Sequence, residues 1–211
     1  MQSIGIFGGT FDPVHYGHLR TAFELQQKLA LDEIRFMPCG IPPHRSVPLT
    51  DSSLRLRMLQ AAVGGEQRFV VDDRELQRPG PSYTVDTLAS LRADFPDRSL
   101  CLLIGMDAFL ELPSWHEWQR LIDFAHIVVA HRPGWQTPQD SALGEFLSAH
   151  KSTAGSDLSA ERCGCVHIER VTQLEISSTD LRASIRSGIE PKYLMPRDVW
   201  TIIAAAGCYA A

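Results

Sequence analysis

The chain has 211 residues, of which 44% are apolar and 21% charged, and its formal net charge is −5. It is long enough to bury a core without disulfides, and its five cysteines, scattered and odd in number, argue against a disulfide framework. It lacks an apolar run of membrane-spanning length, a signal-peptide pattern and a basic excess, so we expect a cytoplasmic protein with neither membrane nor nucleic-acid partners.

Short apolar runs alternate with segments of helical spacing along the whole sequence. The runs predicted to form strands are residues 3–7, 33–38, 68–72, 100–104, 126–130 and 165–168. The segments predicted to form helices are residues 18–30, 52–62, 84–93, 114–124, 142–150, 178–187 and 197–206.

This alternation, with several strands apolar on consecutive residues, predicts a parallel sheet covered on both faces. We therefore expect an α/β fold: a Rossmann-like doubly wound, mostly parallel sheet with helices on both faces and a small C-terminal helical part at about 177–211. We expect residues 1–211 to form a single domain.

Ligands of open parallel sheets bind beyond the carboxyl ends of the strands, near the point where the strand order reverses. The sequence that follows four of the predicted strands is therefore where a site is expected. These positions are Gly8-Gly9-Thr10, residues 42–45, Gly105-Met106-Asp107 and His131-Arg132.

The first motif, residues 8–18, reads GGTFDPVHYGH and joins the first strand to the first helix. Its two leading glycines allow the backbone to approach a phosphate. His15 and His18, three residues apart at the helix entrance, can donate hydrogen bonds to phosphate oxygens. Gly17 leaves room for a bulky ligand.

Two other interpretations of the first motif stay open. Asp12, His15 and His18 could form a metal site of two histidines and one carboxylate, or the histidines could serve only in capping and packing. The motif is neither a dinucleotide-binding G-x-G-x-x-G fingerprint nor a P-loop.

The second motif, residues 175–182, reads EISSTDLR. Ser177 and Asp180 have the spacing of a capping box, which predicts a helix beginning at Ser178. Hydroxyl groups at that helix N-terminus, with Arg182 one turn later, would make a second anion site. The alternative is a well-capped surface helix without a ligand.

The first motif resembles the G-x-F-D-P-x-H-x-G-H signature of the H-x-G-H nucleotidyltransferase superfamily. The second resembles the I-S-S-T-x-I-R motif of the same superfamily, with Leu181 in place of the usual Ile. The resemblance implies transfer of a nucleotidyl group with release of pyrophosphate. It implies His15, His18 and Arg182 as catalytic residues. The ATP-binding residues that it implies are Gly8, Gly9, Thr10, Phe11, Gly105, Asp107, Ile176, Ser178, Thr179 and Arg182.

Within that superfamily the chain looks most like the bacterial nicotinate-nucleotide adenylyltransferases. Residues 42–45, PPHR, resemble the P-P-H-K loop of that family with Arg for the common Lys. The resemblance implies that Trp115 stacks on the nicotinate ring and that Thr84 meets the nicotinate carboxylate. The substrate-binding residues that it implies are His44, Arg45, Tyr83, Thr84, Trp115, His116 and Arg132. Structural alternatives stay open for four residues of the two lists: packing for Trp115, a structural role for Tyr83, a solvated loop position for Arg132 and helix capping for Asp107.

The implied reaction is a step of NAD biosynthesis, in which the phosphate of nicotinate mononucleotide attacks ATP in line, without a covalent intermediate. Mg²⁺ is expected on the ATP and pyrophosphate oxygens, with no protein residue assigned as a metal ligand. The alternatives are another acceptor, such as nicotinamide mononucleotide or pantetheine phosphate, and a nucleotide-sensing module without turnover. The oligomeric state is left open between a monomer and a homodimer.

Overall fold

The computed structural model describes residues 1–42, 48–131, 141–152, 155, 157–172 and 174–210. Within these residues lies one sheet of six parallel strands. The strands are β1 (Ser3–Gly9), β2 (Glu33–Pro38), β3 (Phe69–Val71), β4 (Ser99–Gly105), β5 (His126–His131) and β6 (Val166–Arg170).

The helices follow the strands in alternation. They are α1 (Tyr16–Lys28), α2 (Ser52–Val63), α3 (Arg74–Gln77), α4 (Thr84–Asp94), α5 (Met106–Leu110), α6 (Leu121–Phe124), α7 (Ala142–His150), α8 (Asp157–Ala160), α9 (Ser178–Arg186) and α10 (Arg197–Ala206). Two 3₁₀ turns, Leu112–Ser114 and Trp118–Arg120, lie between α5 and α6.

The strand order is β3-β2-β1-β4-β5-β6. The chain runs outward from β1 to β3 and then returns to place β4 on the other side of β1, where Gly5 is in register with Cys101. The order therefore reverses between β1 and β4, and their carboxyl ends, Gly9 and Gly105, flank the point where such folds bind ligands. This confirms the predicted Rossmann-like doubly wound fold.

Side chains of the central strands alternate between two hydrophobic cores, one on each face of the sheet. In β4, Cys101 and Leu103 face one core, whereas Leu102 and Ile104 face the other. The first core is closed by α1, α2, α9 and α10, and the second by α4, α5, α6 and α7. The predicted C-terminal helical part thus packs on the same face as α1.

The predicted helix over residues 114–124 is wrong for most of its length. One 3₁₀ turn ends at Ser114, a second spans Trp118–Arg120, and an α-helix begins only at Leu121. Glu117 adopts a left-handed φ of 49°, which interrupts any continuous helix. The short helices α3, α5 and α8 were not expected from the sequence.

Among the described residues, no helix combines the length and apolar character needed to cross a bilayer.

Candidate active site

The β1–α1 loop, residues 10–15, turns back over the carboxyl end of the sheet. Phe11 has a left-handed φ of 50° and is only 1% exposed. Its ring packs edge-on to His18, with centroids 5.1 Å apart. The side chain of Phe11 therefore supports His18 from within the core. The helix after the loop begins at Tyr16, two residues earlier than predicted.

The glycines of the first motif serve different purposes. A Cβ atom at Gly8 would meet nothing within 4 Å, whereas one at Gly9 would lie 2.9 Å from the Phe11 ring. At Gly17 a Cβ would lie 2.9 Å from the His15 ring and 3.5 Å from the carbonyl oxygen of Ile176. The prediction that Gly17 makes room for a ligand is therefore wrong, because that space is filled by His15.

The two histidines of the motif are stacked, with ring centroids 3.8 Å apart and planes 27° from parallel. The backbone N–H of His15 donates to Nδ1 of His18 at 3.3 Å. Because Nδ1 accepts, the neutral ring of His18 carries its proton on Nε2. His18 is thereby held as a hydrogen-bond donor through Nε2.

His15 is 5% exposed, and burial lowers its pKa from 6.5 to about 4. Its Nδ1 is buried without a hydrogen-bond partner in the described part of the chain. A buried nitrogen of this kind is costly unless something pairs with it. His15 is thus neutral at pH 7 and keeps an unused polar atom at the loop.

The N-terminus of α9 docks directly on the β1–α1 loop. Ser178 Oγ donates to the carbonyl oxygen of Pro13 at 3.0 Å, and Arg182 Nη1 donates to that of Asp12 at 2.7 Å. Arg182 Nη2 also donates to Thr179 Oγ1 at 3.2 Å. The two motifs, more than 150 residues apart in sequence, are therefore in direct contact, as predicted.

The predicted N-cap of α9 is confirmed, but the hydrogen bonds of the described residues do not include the second bond of a capping box, from the Ser177 backbone N–H to the Asp180 carboxylate. The backbone N–H of Asp180 donates to Ser177 Oγ at 3.1 Å, and Ser177 Oγ donates to the Asp180 carboxylate at 2.8 Å. The helix is well capped, yet it is not merely a surface helix, because its first turn is fixed against the loop.

Asp12 is a structural acceptor. Its carboxylate accepts from Leu49 N at 2.8 Å, Thr50 Oγ1 at 2.7 Å and Tyr209 Oη at 2.5 Å. The alternative metal site of Asp12, His15 and His18 therefore loses its carboxylate ligand. Within the described residues, no three His, Cys, Asp or Glu side chains are grouped so as to hold a metal ion.

The carboxyl end of β4 leads straight into α5, with Gly105 as the N-cap. A Cβ atom at Gly105 would meet nothing within 4 Å. Asp107 is exposed and lies in the first turn of α5, so the interpretation of Asp107 as the helix cap is wrong. Its carboxylate is available beside the carboxyl end of β4.

A second group of predicted residues meets at the start of α4. Tyr83 is the N-cap and Thr84 the first helical residue, and the first N–H groups of a helix have no partner within it. The rings of Tyr83 and His116 lie 4.4 Å apart. Trp115 is half-buried against the second core. The structure thus brings together Tyr83, Thr84 and His116, with Trp115 adjoining His116 in sequence.

Arg55 is a structural residue of the site that was not expected from the sequence. This residue of α2 is 2% exposed, and its Nη1 donates at 2.8 Å to the carbonyl oxygens of both Thr10 and Cys39. It ties the β1–α1 loop to the chain that leaves β2. A signal was present, because helical spacing places Arg55 on the apolar face formed by Met58 and Leu59.

Three predicted site residues, His44, Arg45 and Arg132, lie outside the described residues.

Comparison with known proteins identifies the family that these motifs suggest. Residues 6–184 match the cytidylyltransferase-like family. The chain is 48% identical, over 98% of its length, to a probable nicotinate-nucleotide adenylyltransferase of Aeromonas hydrophila, covering 96% of that protein. It is also 48% identical to one from Methylococcus capsulatus, over 98% of this chain and 99% of that protein.

Among solved structures, the chain resembles the Plasmodium falciparum nicotinic acid mononucleotide adenylyltransferase complexed with NaAD. The TM-score is 0.75, and the match covers 99% of this chain and 98% of the other. At 17% identity, this likeness supports the fold alone.

The reversed strand order and the two motifs that meet at its carboxyl edge define a Rossmann-like nucleotidyltransferase. The sequence identity to relatives that the chain matches over nearly its whole length assigns it to a particular family within this class. The chain belongs to the nicotinate-nucleotide adenylyltransferases of the cytidylyltransferase-like family.

Proposed function

We propose that residues 1–211 act as one nucleotidyltransferase domain that transfers AMP from ATP to nicotinate mononucleotide. The products are nicotinate adenine dinucleotide and pyrophosphate, in a step of NAD biosynthesis. The observation that carries the proposal is the docking of the α9 N-terminus on the β1–α1 loop through Ser178 and Arg182. That contact brings two segments suited to anion binding next to each other, as the binding of one triphosphate requires.

The ATP side is formed by the β1–α1 loop, the start of α9 and the end of β4. His18 donates from Nε2, and the hydroxyls and guanidinium of α9 add donors beside it. Asp107 is placed to accept from a ribose hydroxyl. The residues proposed to bind ATP are Gly8, Gly9, Thr10, Phe11, His15, His18, Gly105, Asp107, Ile176, Ser178, Thr179 and Arg182.

The acceptor side is formed at the start of α4. The free backbone N–H groups of its first turn and the hydroxyl of Thr84 suit the nicotinate carboxylate, and the flat ring of Trp115 suits the pyridine ring. The proposed acceptor residues are Tyr83, Thr84, Trp115 and His116. His44, Arg45 and Arg132 remain predictions from sequence.

In the proposed reaction, a phosphate oxygen of the acceptor forms a bond to the α-phosphorus of ATP. The bond from that phosphorus to the bridging oxygen breaks, and pyrophosphate leaves with the electron pair. A phosphate is already an anionic nucleophile, so no general base is needed. The protein's contribution is to align two polyanions and to stabilise the transition-state charge with the preorganised donors His18 and Arg182.

The residues of the site fit Mg²⁺ bound through the nucleotide. The two motifs offer N–H, hydroxyl, imidazole and guanidinium groups, which suit phosphate oxygens, and their Asp12 carboxylate already accepts three hydrogen bonds. The carboxylate of Asp107 is assigned to the ribose. Mg²⁺ carried by the phosphates would neutralise charge on them.

The test is to incubate the protein with ATP, Mg²⁺ and one acceptor, and to measure both pyrophosphate and dinucleotide. We expect kcat/KM to be highest with nicotinate mononucleotide, compared with nicotinamide mononucleotide and pantetheine phosphate. Higher kcat/KM with another acceptor would reassign the substrate. Tight ATP binding without pyrophosphate from any acceptor would favour the sensing module.

A further inference from the structure

A buried hydrogen-bond network is centred on a residue of the β1–α1 loop that is not itself assigned to a substrate. Its centre is the Asp12 carboxylate, whose Oδ1 accepts from Tyr209 Oη at 2.5 Å and from Thr50 Oγ1 at 2.7 Å. The two hydroxyls lie 3.3 Å from each other. Tyr209, which follows α10, is 8% exposed. Burial and the neighbouring Asp12 raise the pKa of Tyr209, so its hydroxyl stays protonated and donates.

On one side the network reaches the ATP side of the site. The backbone carbonyl of Asp12 accepts from Arg182, so the same residue that Tyr209 holds by its carboxylate is held by α9 through its main chain. The main chain of Asp12 is thus held by Arg182 separately from its carboxylate, so the contact between the two motifs should survive the loss of a bond to the carboxylate.

On the other side the network reaches the acceptor side through α2. Thr50 directly precedes Asp51, the N-cap of α2, and Arg55 of α2 holds the carbonyl oxygens of Thr10 and Cys39. Helix α10, just before Tyr209, packs on α2. The position of α2 thus depends on the bonds that Asp12 accepts.

From Cys39 the connection continues to the start of α4. The N–H of Gly40 donates to Ser82 Oγ at 3.1 Å, and the N–H of Ser82 donates to the carbonyl oxygen of Ile41 at 2.9 Å. Ser82 precedes Tyr83 and Thr84, the proposed acceptor residues. Contacts therefore run without a break from Tyr209 to the acceptor side.

We propose that Tyr209 is a positioning residue, whose hydroxyl, through Asp12, sets the acceptor side of the site against the β1–α1 loop. The inference rests on the proposed function. Tyr209 itself touches no substrate. It acts on the reaction by aligning the acceptor phosphate with ATP. Small misplacements of reacting groups slow a transfer reaction strongly.

The test compares Tyr209→Phe with Tyr193→Phe. Both changes remove only a hydroxyl, but Tyr193 is 82% exposed. We expect Tyr209→Phe to lower kcat/KM for nicotinate mononucleotide about tenfold, the scale of one lost hydrogen bond to a carboxylate. The Kd of ATP with Mg²⁺, measured by calorimetry without acceptor, should stay within about twofold. Tyr193→Phe should match the wild type in both.

Thr50→Val is the second variant, because it removes the other hydroxyl that donates to the same Asp12 oxygen. It too should lower kcat/KM for nicotinate mononucleotide and leave the Kd of ATP nearly unchanged. If both variants keep wild-type kcat/KM at a temperature well below their unfolding midpoints, Tyr209 is merely structural and the proposal is overturned. An equal loss in ATP affinity would also overturn it. A wild-type protein that makes no dinucleotide would instead remove the proposed function, and the inference with it.

Discussion

The imidazole rings of His15 and His18 lie face to face, with centroids 3.8 Å apart. Two protonated rings at this separation would repel each other, and burial already lowers the pKa of His15 to about 4. At neutral pH His15 is therefore uncharged, and within the two motifs the fixed positive charge is that of Arg182. Hydrogen-bond geometry is what the histidine pair contributes.

The lowered pKa of His15 predicts how stability depends on pH. The unfolded chain binds a proton at His15 near pH 6.5, whereas the folded chain does so only near pH 4, so acid favours unfolding across that interval. This destabilisation is absent above pH 6.5 and grows as the pH falls towards 4. In His15→Gln, the decrease in unfolding free energy between pH 7 and 4.5 should be about 2 kcal/mol smaller than in the wild type. Denaturant unfolding at the two pH values measures it.

The comparison uses the difference between the two pH values, so a uniform loss of stability in His15→Gln does not affect it. Stability curves that run parallel for the two proteins between pH 7 and 4.5 would show that His15 is not the group responsible.

His18 offers a sharper test of catalysis, because its two ring nitrogens have separate tasks. In His18→Asn, the amide oxygen can take the place of Nδ1 and accept from the His15 N–H, but nothing replaces the Nε2 donor. We expect its kcat to fall at least ~10²-fold, the scale of one lost preorganised donor, with a melting temperature close to the wild type. In His18→Gln, an amide N–H can reach the place of Nε2, so part of the activity should return. Steady-state kinetics of the folded variants measures both effects. A near-normal kcat in His18→Asn would show that His18 takes no part in the mechanism.

Arg182 should not tolerate lysine. Its two terminal nitrogens donate to the Asp12 carbonyl and to Thr179, and a single ammonium cannot reproduce that fork. We expect Arg182→Lys to raise the KM for ATP about tenfold and to lower kcat as well. Arg186→Lys, an exposed change one turn later on α9, is the matched control and should be silent. Equal kinetics for the two variants would mean that charge alone, not the guanidinium geometry, matters at position 182.

Much of this site could be predicted from sequence because its motifs are continuous. The Gly-rich loop with His15 and His18 lies in one segment, and the helix start capped by Ser177 lies in another, so local spacing carries the information. Alternating strands and helices likewise implied the layered fold. Strand order was not predictable, since pairing depends on contacts between distant segments.

The features that were not predicted depend on contacts between residues far apart in sequence or on backbone groups, which every residue has. Tyr209 meets Asp12 across 197 positions of sequence. Arg55 donates to backbone carbonyl oxygens. Because every residue has such an oxygen, the sequence does not indicate which residues accept. Gly17 was misinterpreted because the ring that fills its space, that of His15, reaches it only through the turn of the loop.

The acceptor side is tested by a pair of tryptophans three residues apart. Trp115 and Trp118 are both half-buried against the second core, but Trp118 packs on Phe146 at 5.0 Å, whereas Trp115 adjoins the Tyr83 and His116 pair. If Trp115 stacks on the pyridine ring, Trp115→Ala should raise the KM for nicotinate mononucleotide at least about fivefold, because stacking on a heteroaromatic base contributes roughly 1–3 kcal/mol. The KM for ATP should stay within about twofold. Trp118→Ala should lower the melting temperature and leave both KM values near the wild type in the folded protein. A Trp115→Ala variant that loses only stability, as Trp118→Ala does, would assign Trp115 to packing.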